Sequence, residues 1–417
     1  MGRPAMSRSP DGRSVLSLFS GAGGLDLGLE VAGFKPTLCV EIDEDACKTL
    51  AHNRSEWRLA QPGDIHQLSP RELLKQASLV PRQLTLLAGG PPCQPFSKSS
   101  YWSTGDAARL RDPRARTLNA YLRVVSAALP QVLLLENVKG LAYNGKDEGL
   151  QYLKNGLKRI NKKHRTDYQL HVVTLNAADY GVPQVRERVF LVASIDGKPF
   201  EPPPPTHGEG REPYLRAWDA IGELDTDTWD PELNLTGRWA KLLPSIPEGQ
   251  NYLWHTPRNA ALGGEPLFGW RTRFWSFLLK LAKCQPSWTI QAAPGPATGP
   301  FHWKSRLLST EELCRIQTFP RGYQIQGPRR SAQRQVGNAV PSAMGELLGL
   351  EIRRQLLGER VARRLQLLPK RRSDCPPPEP TAPVPAEYHV LRAEHEDHPG
   401  AGLGPAALRR ERAEATV

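Results

Sequence analysis

Short apolar runs alternate with amphipathic stretches through the first half of this chain. Six runs are predicted to be strands: Val15–Phe19, Thr37–Glu41, Leu84–Ala88, Val132–Glu136, Val172–Leu175 and Val189–Ala193. The stretches predicted to be helices are Leu25–Ala32, Glu44–Asn53 and Leu118–Leu129. Strands that alternate with helices indicate an α/β fold with a mostly parallel, Rossmann-like sheet covered on both faces. Ligands of such sheets bind beyond the carboxyl ends of the strands.

Polar or conformationally special residues follow the ends of several predicted strands. They are Ser20-Gly21, Glu41, Cys93 and Glu136, and Gly63-Asp64-Ile65 could provide another acidic contact after the third strand. Because the carboxyl ends of parallel strands meet at one edge of the sheet, we expect these residues to surround one site.

Cys93 lies in a turn that three prolines stiffen, in the run Gly89-Gly90-Pro91-Pro92-Cys93-Gln94-Pro95-Phe96-Ser97. Proline fixes its own φ and keeps the preceding residue out of the helical region. A thiol held in one place at a strand end suits a nucleophile. The alternative is an inert cysteine that packs as a small buried hydrophobe, which is the usual state of a free cysteine.

The segment Phe19-Ser20-Gly21-Ala22-Gly23-Gly24 predicts a glycine turn between a strand and a helix. Glycines let the backbone approach a ligand, and the N–H groups at a helix start favour an anionic group. The chain has no Gly-Lys-Ser/Thr sequence here, and the dinucleotide glycine pattern is incomplete. Glu41 ends the next strand, where a carboxylate can bind a ribose. An adenosine-containing cofactor without a pyrophosphate fits best, and simple tight packing of the turn is the alternative.

Glu136 is predicted at the mouth of a buried apolar strand, Val132-Leu133-Leu134-Leu135. Burial would raise its pKa and help it to hold a proton, although a Glu-Asn pair also commonly caps a helix. Arg186 and Arg188 alternate just before the strand Val189–Ala193. They could clamp an oxygen-rich group, or they could form a solvated edge paired with Glu187.

Composition points to a polyanionic partner. The 417-residue chain has a formal net charge of +12, which is most simply explained by binding to nucleic acid. Its six cysteines form no CxxC pair and no metal-ligand spacing, so no metal site is expected. The N-terminus has no apolar signal region, and no run is long enough to span a membrane. These features predict a soluble, cytoplasmic monomer with reduced thiols.

Local composition and the predicted secondary structure divide the chain into four parts. Residues 13–197 and 303–368 are expected to form a catalytic and cofactor-binding domain, and the tryptophan- and proline-rich residues 198–302, here called the insert, a smaller domain. Helices are predicted again at Ser309–Gln317, capped by Ser309 or Thr310, and at about Ser342–Leu357. Residues 369–417 are rich in proline and charge, and we expect them to be disordered.

Six blocks occur in a fixed order in this chain. They are Phe-Ser-Gly-Ala-Gly-Gly, Gly-Pro-Pro-Cys-Gln-Pro-Phe-Ser, Glu-Asn-Val and Gln-Val-Arg-Glu-Arg, followed by residues 306–320 and 335–341. Together they strongly resemble the DNA (cytosine-5) methyltransferases of bacterial restriction–modification systems. The resemblance covers about residues 13–357, and the insert lies where that family has its variable target-recognition domain.

The resemblance implies an S-adenosyl-L-methionine-dependent methyltransferase fold and a covalent mechanism. Cys93 would add to C6 of a cytosine flipped out of double-stranded DNA, so that C5 accepts the methyl group. Glu136 matches the carboxylate that contacts N3 and the exocyclic amine. Arg188 matches the arginine that holds O2, and Arg186 would support the site. The product would protect DNA from a cognate restriction endonuclease.

The resemblance also implies a set of cofactor-binding residues. Phe19 would pack on adenine, Glu41 would meet the ribose, and the glycine turn would line the methionine end. The full set is Phe19, Ser20, Gly21, Gly23, Gly24, Leu25, Glu41, Ile42, Asp64, Ile65, Pro92, Leu118, Asn338 and Ala339.

Two other functions share much of this pattern. A tRNA cytosine-5 methyltransferase would have the same fold, but that branch carries a Cys-Phe-Thr tract before its last blocks, and this chain has none. A catalytically silent DNA-binding relative would not need Cys93, Glu136 and Arg188 together. The sequence does not give the DNA target, because recognition depends on how loops of the insert meet base edges.

Overall fold

The computed structural model describes residues 12–91, 116–137, 148–268, 275–362 and 364–392. Its sheet has six strands: β1 (Ser14–Leu18), β2 (Lys35–Val40), β3 (Leu86–Gly89), β4 (Val132–Asn137), β5 (His171–Asn176) and β6 (Glu187–Ser194). Their order is β2-β1-β3-β4-β6-β5. Neighbouring strands from β2 to β4 are parallel, whereas β6 runs antiparallel to both β4 and β5. The expected mostly parallel α/β sheet is therefore confirmed.

Helices cover both faces of the sheet. The helices of the described residues are α1 (Gly24–Val31), α2 (Glu44–Asn53), α3 (Pro70–Gln76), α4 (Arg116–Ala128), α5 (Glu148–His164), α6 (Ala217–Ile221), α7 (Thr310–Ile316), α8 (Arg329–Asn338) and α9 (Ser342–Gln355). Side chains alternate along β1, so that Leu16 joins the core beneath α3, α4 and α5, and Val15 joins the core beneath α1 and α9. Both cores lie below the carboxyl ends of the strands and hold that edge rigid.

Helices α1 and α9 touch through their backbones. A Cβ atom on Gly28 would lie 2.0 Å from the carbonyl oxygen of Ser342, and one on Gly345 would lie 2.5 Å from that of Leu25. Only glycine permits this approach, because the atoms in the way belong to the backbone and cannot rotate aside. The contact joins the first and last helices of the domain built on the sheet, residues 13–197 and 303–368, here called the sheet domain. It also brings the start of α9 next to the glycine turn.

Replacing Gly28 with alanine is expected to lower the free energy of unfolding by about 2–3 kcal/mol, because the added methyl group must push two helices apart. Chemical denaturation of the purified variant measures this change. Gly295→Ala is the matched control, since its Cβ would meet only the Thr298 hydroxyl, at 3.1 Å. Equal stability of the two variants would show that the helix crossing adapts without cost.

One sequence prediction about the sheet needs correction. Gly63 does not follow the third strand, since it precedes β3; shortly before it the chain makes a single parallel bridge, between Cys39 and Leu59, at the outer side of β2. The short segment ends in a turn that is pressed against Glu41, since a Cβ on Gly63 would lie 2.0 Å from the Glu41 carbonyl oxygen. Helices α3, α5, α6 and α8 were not anticipated, whereas Ser309 caps α7 as expected by accepting a hydrogen bond from the Glu312 N–H at 3.1 Å.

The insert is built mostly from single turns of 3-10 helix around aromatic side chains. The turns are Gly222–Leu224, Pro231–Leu233, Leu243–Ser245, Tyr252–His255 and Pro257–Leu262. Trp239 lies at the centre of their core, with ring centroids 5.7 Å from Phe268, 5.3 Å from Phe277 and 6.1 Å from Tyr388. The core of the insert is therefore completed by a residue from the end of the chain.

The disorder expected after Leu368 is not found in residues 369–392, here called the C-terminal segment. Glu379 accepts a hydrogen bond from the buried Lys283 ammonium at 2.6 Å, and the Ala382 N–H donates to the Pro244 carbonyl at 3.1 Å. A final 3-10 helix, Ala386–Arg392, buries Tyr388 in the insert. Composition alone could not predict this order, because the apolar core against which the segment packs is supplied by the insert. Residues 393–417 lie outside the described part of the chain.

Candidate active site

A cavity of about 520 Å³ opens at the carboxyl ends of β1, β2, β3 and β4. Its volume is in the range of small-molecule sites. Thirteen of the residues predicted from the sequence line it: Phe19, Ser20, Gly21, Gly24, Leu25, Glu41, Ile42, Asp64, Ile65, Glu136, Arg188, Asn338 and Ala339. The structure thus brings together the glycine turn, three predicted carboxylates and one arginine from segments far apart in sequence.

The glycine turn between β1 and α1 is tightly wound. Phe19 has a φ of 59°, Gly21 a φ of 54° and Gly23 a φ of 79°, so three residues adopt the left-handed conformation. Gly23 is the N-cap of α1 and supplies no side-chain cap, so the first N–H groups of the helix can meet an anionic group of a ligand.

Glu41 fixes the turn against the end of β2. One carboxylate oxygen accepts a hydrogen bond from the Gly21 N–H at 2.7 Å. The other accepts from the N–H groups of Ile42, at 2.9 Å, and Asp43, at 2.8 Å. Burial raises the pKa of Glu41, and the three N–H donors oppose that rise. The carboxylate is therefore held in one orientation at the cavity wall.

Asp64 lies on the turn that is pressed against Glu41. Its carboxylate accepts hydrogen bonds from the His66 N–H at 2.9 Å and from the Gln67 side chain at 3.1 Å. Ile65 is buried, whereas Ile42 is 69% exposed at the rim of the cavity. An exposed large apolar side chain at the mouth of a cavity is suited to cover a flat ligand.

Glu136 and Arg188 form an ion pair at the other side of the cavity. Arg188 Nε lies 2.9 Å from Glu136 Oε1, and both side chains are largely buried. The antiparallel pairing of β4 with β6 produces this contact, since it places Glu136 opposite Phe190, two residues after Arg188. Burial raises the pKa of Glu136, and the charges of Arg188 and Arg186 partly offset that rise. The carboxyl group can therefore hold a proton more readily than an exposed glutamate.

The turn that leads to Cys93 begins beside Glu136. A Cβ on Gly90 would lie 3.3 Å from Glu136 Oε2, and the buried Asn137 side chain donates a hydrogen bond to the Pro91 carbonyl at 3.2 Å. Pro91 lines the cavity. Pro92 and Cys93 lie outside the described residues, so their predicted roles rest on the sequence.

Arg186 does not line the cavity but holds part of its wall. Its buried guanidinium donates to the carbonyls of Gly337 at 2.7 Å, Ala339 at 2.9 Å and Ile290 at 3.2 Å. It thereby links β6, the end of the insert and the chain segment that contains Asn338. This geometry is that of a positioning residue, rather than one that contacts a substrate.

Two other predicted residues also lie outside the cavity lining. Leu118 packs in the core beneath α4, and its neighbour Thr117 lines the cavity instead. Gly23 faces away, towards Leu50 and Trp57. Their roles in the site are therefore indirect, through the packing of α4 and the start of α1.

The cavity also includes residues that the sequence prediction missed, namely Ser17, Asp26, Asp43, Thr117, Arg334 and Gln335. The sequence contained a signal that could have identified Asp26, because it is an acidic residue among the apolar residues that follow the glycine turn. Gln335 begins the block 335–341, but that block does not place it at the cavity, because its position depends on a tertiary contact in which it accepts a hydrogen bond from the Thr49 hydroxyl at 2.8 Å.

Within the described ranges, no helix is long and apolar enough to cross a membrane. In the same part of the chain, no group of three or more histidine, cysteine or acidic residues is arranged to hold a metal ion.

Comparison with known proteins identifies relatives along most of the chain. The sequence profile of the family described as C-5 cytosine-specific DNA methylase matches residues 13–354. The Type II methyltransferase M.SacI of Streptomyces achromogenes is 38% identical over 374 residues, covering 82% of this chain and 93% of the relative. The Type II methyltransferase M.NgoFVII of Neisseria gonorrhoeae is 32% identical over 344 residues, covering 81% and 85%.

Solved structures show the same fold. A DNA modification methyltransferase encoded in an Escherichia coli prophage matches with a TM-score of 0.57 at 22% identity, covering 83% of this chain and 99% of that chain. A DNMT2 of Spodoptera frugiperda matches with a TM-score of 0.55 at 18% identity, covering 82% and 99%. The family match and the two curated relatives show that the chain is a DNA (cytosine-5) methyltransferase and belongs to the C-5 cytosine-specific DNA methylase family.

Proposed function

We propose that this chain methylates C5 of a cytosine within a specific sequence of double-stranded DNA, as the methyltransferase of a Type II restriction–modification system. The observation that carries the proposal is the Glu136–Arg188 ion pair, which shares one cavity with Glu41, Asp64 and the glycine turn. A base-binding pair and a nucleoside-binding set must lie this close for a methyl group to pass directly between them. The names of the relatives, both Type II methyltransferases, support the biological setting.

The residues of the cavity suit S-adenosyl-L-methionine. The Glu41 carboxylate can accept from ribose hydroxyls, Asp64 can accept from the adenine amine, and Phe19 and Ile42 offer apolar surface to the ring. The uncapped start of α1 suits the carboxylate of the methionine part. When bound, the cofactor supplies an activated methyl group on a positively charged sulfur.

The chemistry on the base is assigned to three residues. The Cys93 thiolate adds to C6 of cytosine while Glu136 gives a proton to N3, and the resulting enamine makes C5 nucleophilic. Arg188 holds O2 and compensates the negative charge that Glu136 acquires. After C5 has been methylated, its proton is lost to a base, the C6–S bond breaks, and N3 returns its proton to Glu136. The ring is thereby restored and the thiolate regenerated.

The target base must leave the helix for this chemistry. Glu136 is only 8% exposed at the inner side of the cavity, where the edge of a stacked base cannot reach it. The net charge of +12 favours the phosphate contacts that would hold the duplex while the base is extruded. We assign sequence recognition to the insert, residues 198–302, because it lies outside the sheet domain and is joined to the cavity wall through Ile290 and Arg186.

Trapping with 5-fluorocytosine tests this proposal. Fluorine at C5 cannot leave as a proton, so the enzyme should remain covalently bound to the base after methylation. Bisulfite sequencing of DNA from cells that express the chain identifies the target, and duplexes with 5-fluorocytosine at that cytosine are then incubated with enzyme and cofactor. We expect a complex that survives denaturing electrophoresis.

Three further reactions give this experiment its controls. A duplex with the target scrambled and a reaction without cofactor should both give no stable complex. Transfer RNA containing 5-fluorocytosine should not be trapped. Capture of tRNA in place of duplex DNA would instead support the RNA methyltransferase alternative, and the absence of any adduct would support a silent DNA-binding relative.

A further inference from the structure

Asp26 is a buried carboxylate in the wall of the cavity, within the first turn of α1. It is 1% exposed, and its Oδ1 atom has no hydrogen-bond partner among the described residues. The carboxylate does interact with the Ser17 hydroxyl. Ser17 in turn accepts a hydrogen bond from the Ser20 hydroxyl at 2.9 Å. One carboxylate oxygen is thus oriented by β1 and the glycine turn, and the other is left without a partner.

The surroundings of Asp26 do not neutralise its charge. Burial, with a smaller contribution from the negative charge of Glu30 on the same helix, raises its pKa to about 7, although hydrogen bonds from the Ser17 hydroxyl and a backbone N–H oppose the rise. Cys39 of β2 and Tyr323 also face it, and burial raises the pKa of both, so each is neutral near pH 7. A buried carboxylate without a cation is costly, and it strongly favours a ligand that brings one.

The position of Asp26 indicates which cation this is. The uncapped N–H groups at the start of α1 favour the carboxylate of an amino acid, and an amino acid carries its ammonium group on the adjacent carbon. Asp26 lies on that same turn of α1. We infer that Asp26 binds the α-ammonium group of the methionine part of the cofactor, an inference that rests on the proposed use of S-adenosyl-L-methionine.

Two ligands that differ only in this group give the test. Calorimetry measures the affinity of the full-length protein for S-adenosylhomocysteine and for its deamino analogue, which keeps the carboxylate but lacks the ammonium group. Asp26→Asn should weaken binding of S-adenosylhomocysteine about tenfold or more, because a hydrogen bond between two charged groups is lost. The affinity of the Asp26→Asn variant for the deamino analogue should equal that of the wild type.

Glu30→Gln is the matched control. Glu30 lies on the same helix but is engaged outside the cavity, where it accepts hydrogen bonds from Arg54 at 2.9 Å and Trp57 at 3.1 Å. This variant should bind each of the two ligands with the wild-type affinity. If Asp26→Asn weakened both ligands equally, or neither, the inference would be overturned. If the wild type bound neither S-adenosylhomocysteine nor S-adenosyl-L-methionine, the proposed cofactor itself would be wrong.

The wild-type protein offers a second measurement that does not depend on how the variant folds. The ammonium group requires ionised Asp26, whose pKa is about 7 in the free protein. The dissociation constant for S-adenosylhomocysteine should therefore rise as the pH falls below 7, up to the factor that Asp26→Asn produces, and level off above 7. The deamino analogue should lack this dependence, while sharing any effect of Glu41 on the ribose. Parallel pH profiles for the two ligands would also overturn the inference.

Discussion

Replacing Cys93 with serine is expected to reduce methyl transfer by at least about a thousandfold while leaving DNA binding intact. A serine hydroxyl is almost entirely protonated at neutral pH, whereas a cysteine near a cationic site contributes appreciable thiolate. The attack on C6 would then be too slow for C5 to become nucleophilic. Transfer of a labelled methyl group from the cofactor to duplex DNA measures the rate, and a mobility shift measures binding.

Cys284→Ser provides the control for this experiment. Cys284 is exposed and lies in the insert, outside the cavity lining, so this variant should keep the wild-type rate. A Cys93→Ser enzyme that still turned over at a tenth of the wild-type rate would exclude Cys93 as the nucleophile. Loss of DNA binding together with activity would instead indicate that Cys93 supports the DNA-binding conformation.

The strand pattern of the sequence was sufficient to predict where the site would be. Glu41 follows β2 directly, and Glu136 lies within the last two residues of β4. Because parallel strands end at one edge of the sheet, the strand pattern alone assigns two carboxylates far apart in sequence to one cavity. Their neighbours in the glycine turn followed from the same argument.

Features that depend on tertiary contacts were not predictable in this way. The antiparallel direction of β6, which places Arg188 beside Glu136, leaves no mark on the local apolar pattern. Arg186 gives the same sequence signal as Arg188, and only the fold shows that it holds the wall at Gly337 and Ala339. The order of residues 369–392 was missed for a related reason, since local composition cannot show that a distant core is open to receive Tyr388.

The C-terminal segment is expected to be essential for recognition of DNA but not for binding of the cofactor. Lys283 is 2% exposed and is held between Glu248, at 2.8 Å, and Glu379, at 2.6 Å. Removing Glu379 would leave a buried ammonium group with one fewer carboxylate, and removing Tyr388 would open the aromatic core around Trp239. Removal of either side chain would destabilise the insert, whereas the cavity is built by the sheet domain.

Tyr388→Ala tests this separation with a single change. Truncating a buried aromatic residue costs about 3–5 kcal/mol, so the insert should loosen first, since it supplies most of the contacts that Tyr388 makes. Affinity for target duplex should fall at least tenfold, with S-adenosylhomocysteine affinity unchanged. Val390→Ala, on the same 3-10 helix but 76% exposed, should match the wild type in both measurements. A parallel loss of both affinities in Tyr388→Ala would mean that the insert and the sheet domain unfold as one unit, and that the segment stabilises the whole protein rather than its DNA-binding part.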